Sequence, residues 1–173
     1  MRKVPRHTPV RFHPIGIIHT RATKDEVREG KRELISTIEI YPRFIAGLKG
    51  IDGYSHFFVI SYLNQLRPDQ KDVLRVRPRR FLRDGLSLKE LPLVGVFALN
   101  SPSRPNPIGL TQVEVLHRRG RRILVKGLDF FDGTPVLDIK PYHPDYKVQS
   151  ARVPIWSSRL ELRAKRARRR KRE

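Results

Sequence analysis

Cysteine is absent from this 173-residue chain. That excludes disulfides, thiolate zinc sites, iron–sulfur clusters and a cysteine nucleophile, and it fits a reducing compartment. Acidic residues are scarce: 17 Asp and Glu stand against 37 Lys and Arg, a net charge of +20. An acidic binding module or a calcium buffer is therefore excluded. No apolar run approaches the ~20 residues needed to span a bilayer. The basic N-terminus, Met1–Arg6, is not followed by the continuous apolar stretch of a secretory leader. The expectation is a soluble, cytoplasmic protein with no membrane partner. Other signatures are missing as well. There is no G-x-G-x-x-G after a strand, no Walker A motif, no H-E-x-x-H and no G-x-S-x-G. The six histidines are scattered singly, so no metal site is expected.

What is present suffices for one folded domain. Apolar residues make up 38% of the chain, enough for a core at this length. The basic charge has two sources. Residues 159–173 carry nine basic and two acidic residues, and the remainder still has a charge of +13. Such a surface attracts polyanions, nucleic acid first among them. A solvated tail on an ordinary protein is the plainer alternative.

The hydrophobic pattern is strand-rich. His13–Thr20, Leu34–Ile40, Ser55–Leu63, Leu93–Leu99, Leu110–His117, Ile123–Leu128 and Val136–Ile139 are short runs separated by Gly, Pro and Asp. They predict a sheet closed on itself, or a sandwich. The fold class expected is all-β, mainly an antiparallel barrel, with few short helices and a basic C-terminal tail. Pro42 suits the first position of a helical turn. Residues 24–33 are too polar for a core helix. The tail has helix-forming composition, but its like charges repel, so it is expected to fray without a partner. The organisation predicted is an N-terminal extension over 1–12, a barrel domain over 13–156 and the tail over 157–173.

Three segments carry candidate chemistry. In Ser101–Thr111, Pro102, Pro105 and Pro107 fix three φ angles and remove three N–H donors. The segment is a stiff loop entering the strand at Leu110, able to hold Arg104 and Asn106 in a fixed geometry. It is equally well a simple corner. In Gly127–Tyr142, Asp132-Gly133 marks a turn. Asp129, Asp132 and Asp138 sit among Phe130, Phe131, Leu137 and Ile139, and carboxylates in apolar surroundings need partners. Asp138 and Lys140 share a strand face and can pair. In Gly53–Gln65, His56 opens the most apolar strand and Asn64 and Gln65 end it. These amides either cap a turn or read a base edge or a ribose. Arg79 and Arg80 belong to a second basic block, Arg75–Arg83, which Pro78 confines to a loop or an edge.

SPSRPNPIGLT, DGTPVLDIKPY and GLKGIDGYSHFFVI together resemble the TsaA-like (YaeB-like) domain, the family of the tRNA (adenine-N6)-methyltransferase TrmO. The likeness runs from about Ile15 to about Tyr146 with the motifs in the family's order. The resemblance implies an S-adenosylmethionine-dependent enzyme on a small β-barrel, a homodimer with the cofactor near the subunit interface, and tRNA as partner. The implied substrate is N6-threonylcarbamoyladenosine beside the anticodon. Carried over by motif, the cofactor site falls on Asn64, Gln65, Leu110, Asp132, Gly133, Thr134 and Pro135. The family's short N-terminal Pro-Arg-Gln-like segment has its nearest counterparts in Arg28 and Glu29. One departure stands out: the family's Thr-Arg before Ser-Pro is Leu99-Asn100 here. A neutral amide thus replaces an Arg that contacts cofactor or substrate, while Arg104 survives nearby.

Methyl transfer from a sulfonium asks mainly for alignment. Tyr54, Phe131 and Tyr142 are the aromatic faces that suit the cation. The adenine N6 must lose a proton, and Asp138 or Tyr142 is the expected acceptor. Arg104, Asn106, Lys140, Arg79 and Arg80 are the expected RNA contacts. Two rival readings remain at this level: a non-catalytic basic RNA-binding protein, and a family member methylating another substrate.

Overall fold

The computed structural model describes residues 10–30 and 32–170. Most of the expected N-terminal extension and the last three residues of the tail lie outside the described residues. The described chain divides into two compact units, residues 10–64 with 108–142, and residues 65–107 with 143–170.

The first unit is a closed six-stranded barrel. Its strands are β1 (Gly16–Thr20), β2 (Ile35–Ile40), β3 (His56–Tyr62), β6 (Ile108–Arg119), β7 (Arg122–Lys126) and β8 (Pro135–Pro141). The order around the barrel is β1-β2-β7-β6-β3-β8, and every pairing is antiparallel. Six of the seven runs singled out in the sequence became these strands. Alternation decides which side chains face inward. Ile18, Ile38, Ile40, Phe57, Val59, Val113, Ile123, Val125 and Val136 are buried and form one core with Leu128 and Phe130. Closure leaves no open sheet edge to manage. Gly16 lies on β1 where Cβ would stand 2.4 Å from the Glu39 carbonyl oxygen, so the β1–β2 approach needs glycine.

Local chemistry fixes the connections. Pro42 does open a 3-10 turn, Pro42–Leu48, as its sequence position suggested. Residues 24–29 form a short surface helix, α1 (Lys24–Glu29), with only Val27 buried. Its start is a capping box: the Thr23 hydroxyl accepts from Glu26 N–H, and Glu26 Oε2 accepts from Thr23 N–H at 2.8 Å. Gly30, at φ 63°, ends it.

The second unit corrects one strand expectation and completes another element. Leu93–Leu99 is not a barrel strand. Only β5 (Val94–Gly95) is extended, paired with β4 (Arg75–Val76) in a two-stranded sheet, and Val96–Ala98 turns as a 3-10 helix. Its apolar residues divide: Val96 is buried while Phe97 is 82% exposed. The tail is helical rather than frayed, as α2 (Ile155–Arg170). Its Leu160 and Ala164 are buried with Phe81, Leu86 and Leu91, and Trp156 packs against the same cluster. That burial and three ion pairs, Arg80–Glu161, Arg163–Glu90 and Arg168–Asp84, offset the repulsion among its like charges.

Candidate functional site

Register brings several separately chosen segments to one end of the barrel. β3 ends there at Tyr62, just before Asn64. β6 starts there at Ile108, which pairs with Tyr62. β8 starts there at Pro135, which pairs with Ile17, and Ser61 pairs with Val136. The segment 128–134 crosses this end. Asp129 accepts a hydrogen bond from the Thr111 hydroxyl. Phe130 is buried over Gly109, and the chain then turns through Asp132-Gly133 into β8.

The turn is tied on both sides. Ile18 N–H donates to the Thr134 carbonyl at 3.0 Å, and Gly133 N–H donates to the Ile18 carbonyl at 2.9 Å. Asp132 Oδ1 accepts from Thr20 N–H at 2.9 Å. Gly133 has φ 75°, a conformation that favours glycine. Thr134 is buried, so its contribution is to shape and backbone pairing. Asp132 itself is exposed, as are Asn64 and Leu110.

Helix α1 adds charge to this end. Lys24 Nζ lies 5.6 Å and Arg28 Cζ 5.7 Å from the Phe131 ring centroid, within cation–π range. Arg28 also pairs with Asp25 at 2.8 Å. Glu29 follows on the same exposed turn. Lys24 was not among the residues the sequence reading selected. Its signal was available in Thr23-Lys-Asp-Glu26, the capping-box pattern that starts the helix.

The outer face of β6, β3 and β8 carries rows of paired residues. Leu110, Ile60 and Asp138 form one row, and Gln112, Phe58 and Lys140 the next. Asp138 Oδ2 pairs with Lys140 Nζ at 3.0 Å, and its Oδ1 accepts from Ile139 N–H at 2.9 Å. The sequence-derived Asp138–Lys140 pair is therefore formed. Tyr142 lies farther along. Its N–H donates to the His56 carbonyl, and its ring meets those of His56 and Phe58 at 6.2 and 5.5 Å. From Pro135 to Tyr142 the chain advances roughly 23 Å at strand rise. Tyr142 and Tyr54 thus stand toward the opposite end of β3 from Asn64. A cavity of about 240 Å³ at that opposite end is lined by Asp52, Tyr54, Phe57, His117 and Arg118. It contains none of the residues carried over as cofactor ligands.

The remaining candidates lie in the second unit. Gln65 and Asn100 are exposed there. Arg104 is half-buried and faces its own loop: its Nη2 donates to the carbonyls of Leu99 at 2.9 Å and Val96 at 3.3 Å. It holds in place the turn that presents Asn100. Asn106 is exposed. Arg79 is exposed, and Arg80 pairs with Glu161 at 3.0 Å.

Comparison with known proteins gives this architecture a family. Residues 27–148 match the model of the tRNA-methyltransferase O N-terminal domain. The chain belongs to that family. A probable S-adenosyl-L-methionine-binding protein of Pyrococcus abyssi is 34% identical over 142 residues, covering 80% of this chain and 71% of that protein. A putative S-adenosylmethionine-dependent methyltransferase, RcsF, of Pseudomonas aeruginosa is 40% identical over 110 residues, covering 62% of this chain and 44% of that one. Among solved structures, a crystal structure of TrmO superposes with a TM-score of 0.65 at 30% identity, over 86% of this chain and 64% of that chain. TrmO from Pseudomonas aeruginosa gives 0.63 at 29% identity, over 86% and 63%. The chain thus spans just under two thirds of the TrmO chains it resembles.

Proposed function

We propose that this chain binds S-adenosylmethionine and transfers its methyl group to N6 of threonylcarbamoyladenosine beside the anticodon of tRNA. It works in the cytoplasm as a homodimer. The observation that carries the reading is the meeting of Asn64, Leu110 and the Asp132–Pro135 turn at one barrel end, with Lys24 and Arg28 beside Phe131. Family membership and the relatives' names point the same way.

The donor set suits the cofactor's three parts. Lys24 and Arg28 suit its carboxylate, which a cation pairs with. The Phe131 face suits a sulfonium. The exposed Leu110 side chain and the Asn64 amide suit a purine, one as an apolar surface and the other as a donor and acceptor. When bound, the cofactor supplies an activated methyl group. The chain's own tasks are then to align the acceptor nitrogen and to receive its proton. Asp138, in the same row as Leu110 on the outer face, is the group assigned to the proton. Tyr142 is held toward the other end of β3 by His56 and Phe58, so within one subunit it serves less well.

Two measurements test this. Calorimetry of the full chain with S-adenosylmethionine is expected to show one site per subunit. Mass spectrometry of tRNA nucleosides after incubation with enzyme and cofactor is expected to show methylated threonylcarbamoyladenosine. Cofactor binding with a different methylated nucleoside would keep the enzyme and change the substrate. Asn100, in place of the family's arginine, is the specific reason to look for that result. Neither binding nor methylation would leave a basic RNA-binding protein.

A further inference from the structure

The charge of this protein is unevenly distributed. In sequence, residues 65–107 and 143–173 hold 20 basic and seven acidic residues, +13 of the total +20, in fewer than half of the chain's residues. Helix α2 concentrates it. Six of its arginines and one lysine fall within Ile155–Arg170, and all of them lie beyond residues 27–148, the stretch matched by the family model.

The helix uses its three-dimensional surface asymmetrically. Trp156, Leu160 and Ala164 recur at i, i+4 and i+8, and they face the cluster of Phe81, Leu86 and Leu91. Arg159, Arg163, Arg166 and Arg170 recur at i, i+4, i+7 and i+11, so they form a single row along the helix. At 1.5 Å per residue the row is about 16 Å long. Among the described residues, Arg163 alone in the row has an ion pair, with Glu90. Arg159, Arg166 and Arg170 are exposed and carry no ion pair among the described residues. Like charges at this spacing destabilise a helix. Among the described residues three of the four arginines of the row are left without an anionic partner, which an external polyanion would supply.

We infer that the Arg159–Arg166–Arg170 row of α2 is a docking ridge for the phosphate backbone of a structured RNA. Two features choose RNA over an anionic membrane. A membrane-surface helix presents a continuous apolar face to the lipid; the apolar stripe of α2, Trp156, Leu160 and Ala164, is used against Phe81, Leu86 and Leu91, and the exposed Ile155 and Leu162 make no such face. The ridge is all arginine, whose planar fork matches phosphate bidentately, where lysine offers a point charge. The identity of the RNA as tRNA rests on the function proposed above; the ridge itself does not.

The test uses the full chain and bulk cellular tRNA carrying threonylcarbamoyladenosine, with binding measured at several salt concentrations. The ridge variant carries Arg159→Gln, Arg166→Gln and Arg170→Gln; Gln keeps helix propensity and leaves the buried face and the three ion pairs intact. A control variant removes the same charge from the barrel unit: Arg21→Gln, Arg43→Gln and Arg119→Gln. Each lost phosphate contact lowers the slope of log affinity against log salt by roughly 0.7–0.9. The ridge variant is expected to lose about 2–3 from the slope on that rule, with affinity down at least tenfold near physiological salt, and the control to lose less than one. Equal slopes for wild type and ridge variant overturn the proposal. Equal losses in ridge and control variants overturn it too, because the attraction is then diffuse charge. Tighter, ridge-dependent binding to phosphatidylserine vesicles than to tRNA at the same salt also overturns it, in favour of a membrane. Methylation of tRNA by the ridge variant at saturating RNA separates the two readings. Unchanged turnover with weakened binding supports both; ridge-dependent binding without any methyl transfer supports the ridge and removes the proposed function.

Discussion

Phe130 occupies the space that a side chain on Gly109 would need. A Cβ built on Gly109 would stand 2.4 and 2.6 Å from two atoms of the Phe130 ring and 3.0 Å from a Leu63 methyl. Gly109 precedes Leu110, and Phe130 precedes Phe131 and Asp132, so this one close approach seats both halves of the candidate site.

Gly109→Ala is therefore expected to displace the Phe130 ring. Overpacking of a close core typically costs about 1–3 kcal/mol. The chain should still fold, with a lower denaturation midpoint and weaker S-adenosylmethionine binding. A variant with an unchanged midpoint would show that Phe130 moves aside without cost.

The Asp132 carboxylate ties its turn to β1 through Thr20 N–H. Asp132→Ala removes that acceptor and should weaken cofactor binding in a folded protein. Asp132→Asn retains an oxygen acceptor and should keep the turn, so the two variants separate geometry from charge. Equal, large losses in both would assign the role to the negative charge. Unchanged affinity in both would leave Asp132-Gly133 as a plain hairpin turn.

The barrel was legible because its strands obey a period of two and end at Gly, Pro and Asp, as in Ile35–Ile40 and His56–Tyr62. Leu93–Leu99 misled because an apolar run of that length does not reveal its period. The helical state of α2 was only half legible. Its composition showed propensity and repulsion, but the partners Phe81, Leu86, Glu90 and Asp84 lie roughly 70–85 residues away in sequence. The Asp132 turn and Leu110 were readable from motif. The use of Arg104 was not, since its hydrogen bonds go to backbone carbonyls that no side-chain pattern encodes.

Arg104 and Asn100 make a paired prediction. Arg104 holds the Leu99 and Val96 carbonyls, so it positions the turn on which Asn100 stands. Arg104→Ala should raise hydrogen exchange across residues 96–104 and lower methyl-transfer turnover. Asn100→Arg should leave that exchange unchanged and strengthen cofactor binding or speed methylation. Loss of activity in Asn100→Arg would mean that the amide serves a different substrate.

The last prediction concerns pH. Glu39 on β2 is a hub: Oε2 accepts from Arg122 Nε at 2.9 Å, Oε1 lies 2.7 Å from Arg121 Nη2, and His19 Nε2 is 3.6 Å away. The hydrogen bond from Arg122, with the charges of Arg121, Arg122 and His19, holds its carboxyl below the usual range against a smaller opposing effect of burial. Asp52 beside Arg118 and Asp69 beside Arg67 are lowered in the same way, and Glu90 is lowered chiefly by the Ser87 N–H and hydroxyl. A lowered carboxyl means that the unfolded chain takes up its proton first as pH falls. The stabilisation is complete above the ordinary carboxylate values near 4 and is lost as pH drops through the lower values of the folded state. Denaturation midpoints should therefore be level near neutrality and fall steeply on acidification. Glu39→Gln is expected to lower the midpoint at neutral pH, because Arg121 and Arg122 lose their shared partner, and to flatten the acid limb. Variant and wild type should converge at the lowest pH, where Glu39 is protonated in both states of the wild type. Two profiles that stay parallel down to that pH would show that Glu39 contributes through packing and not through its charge.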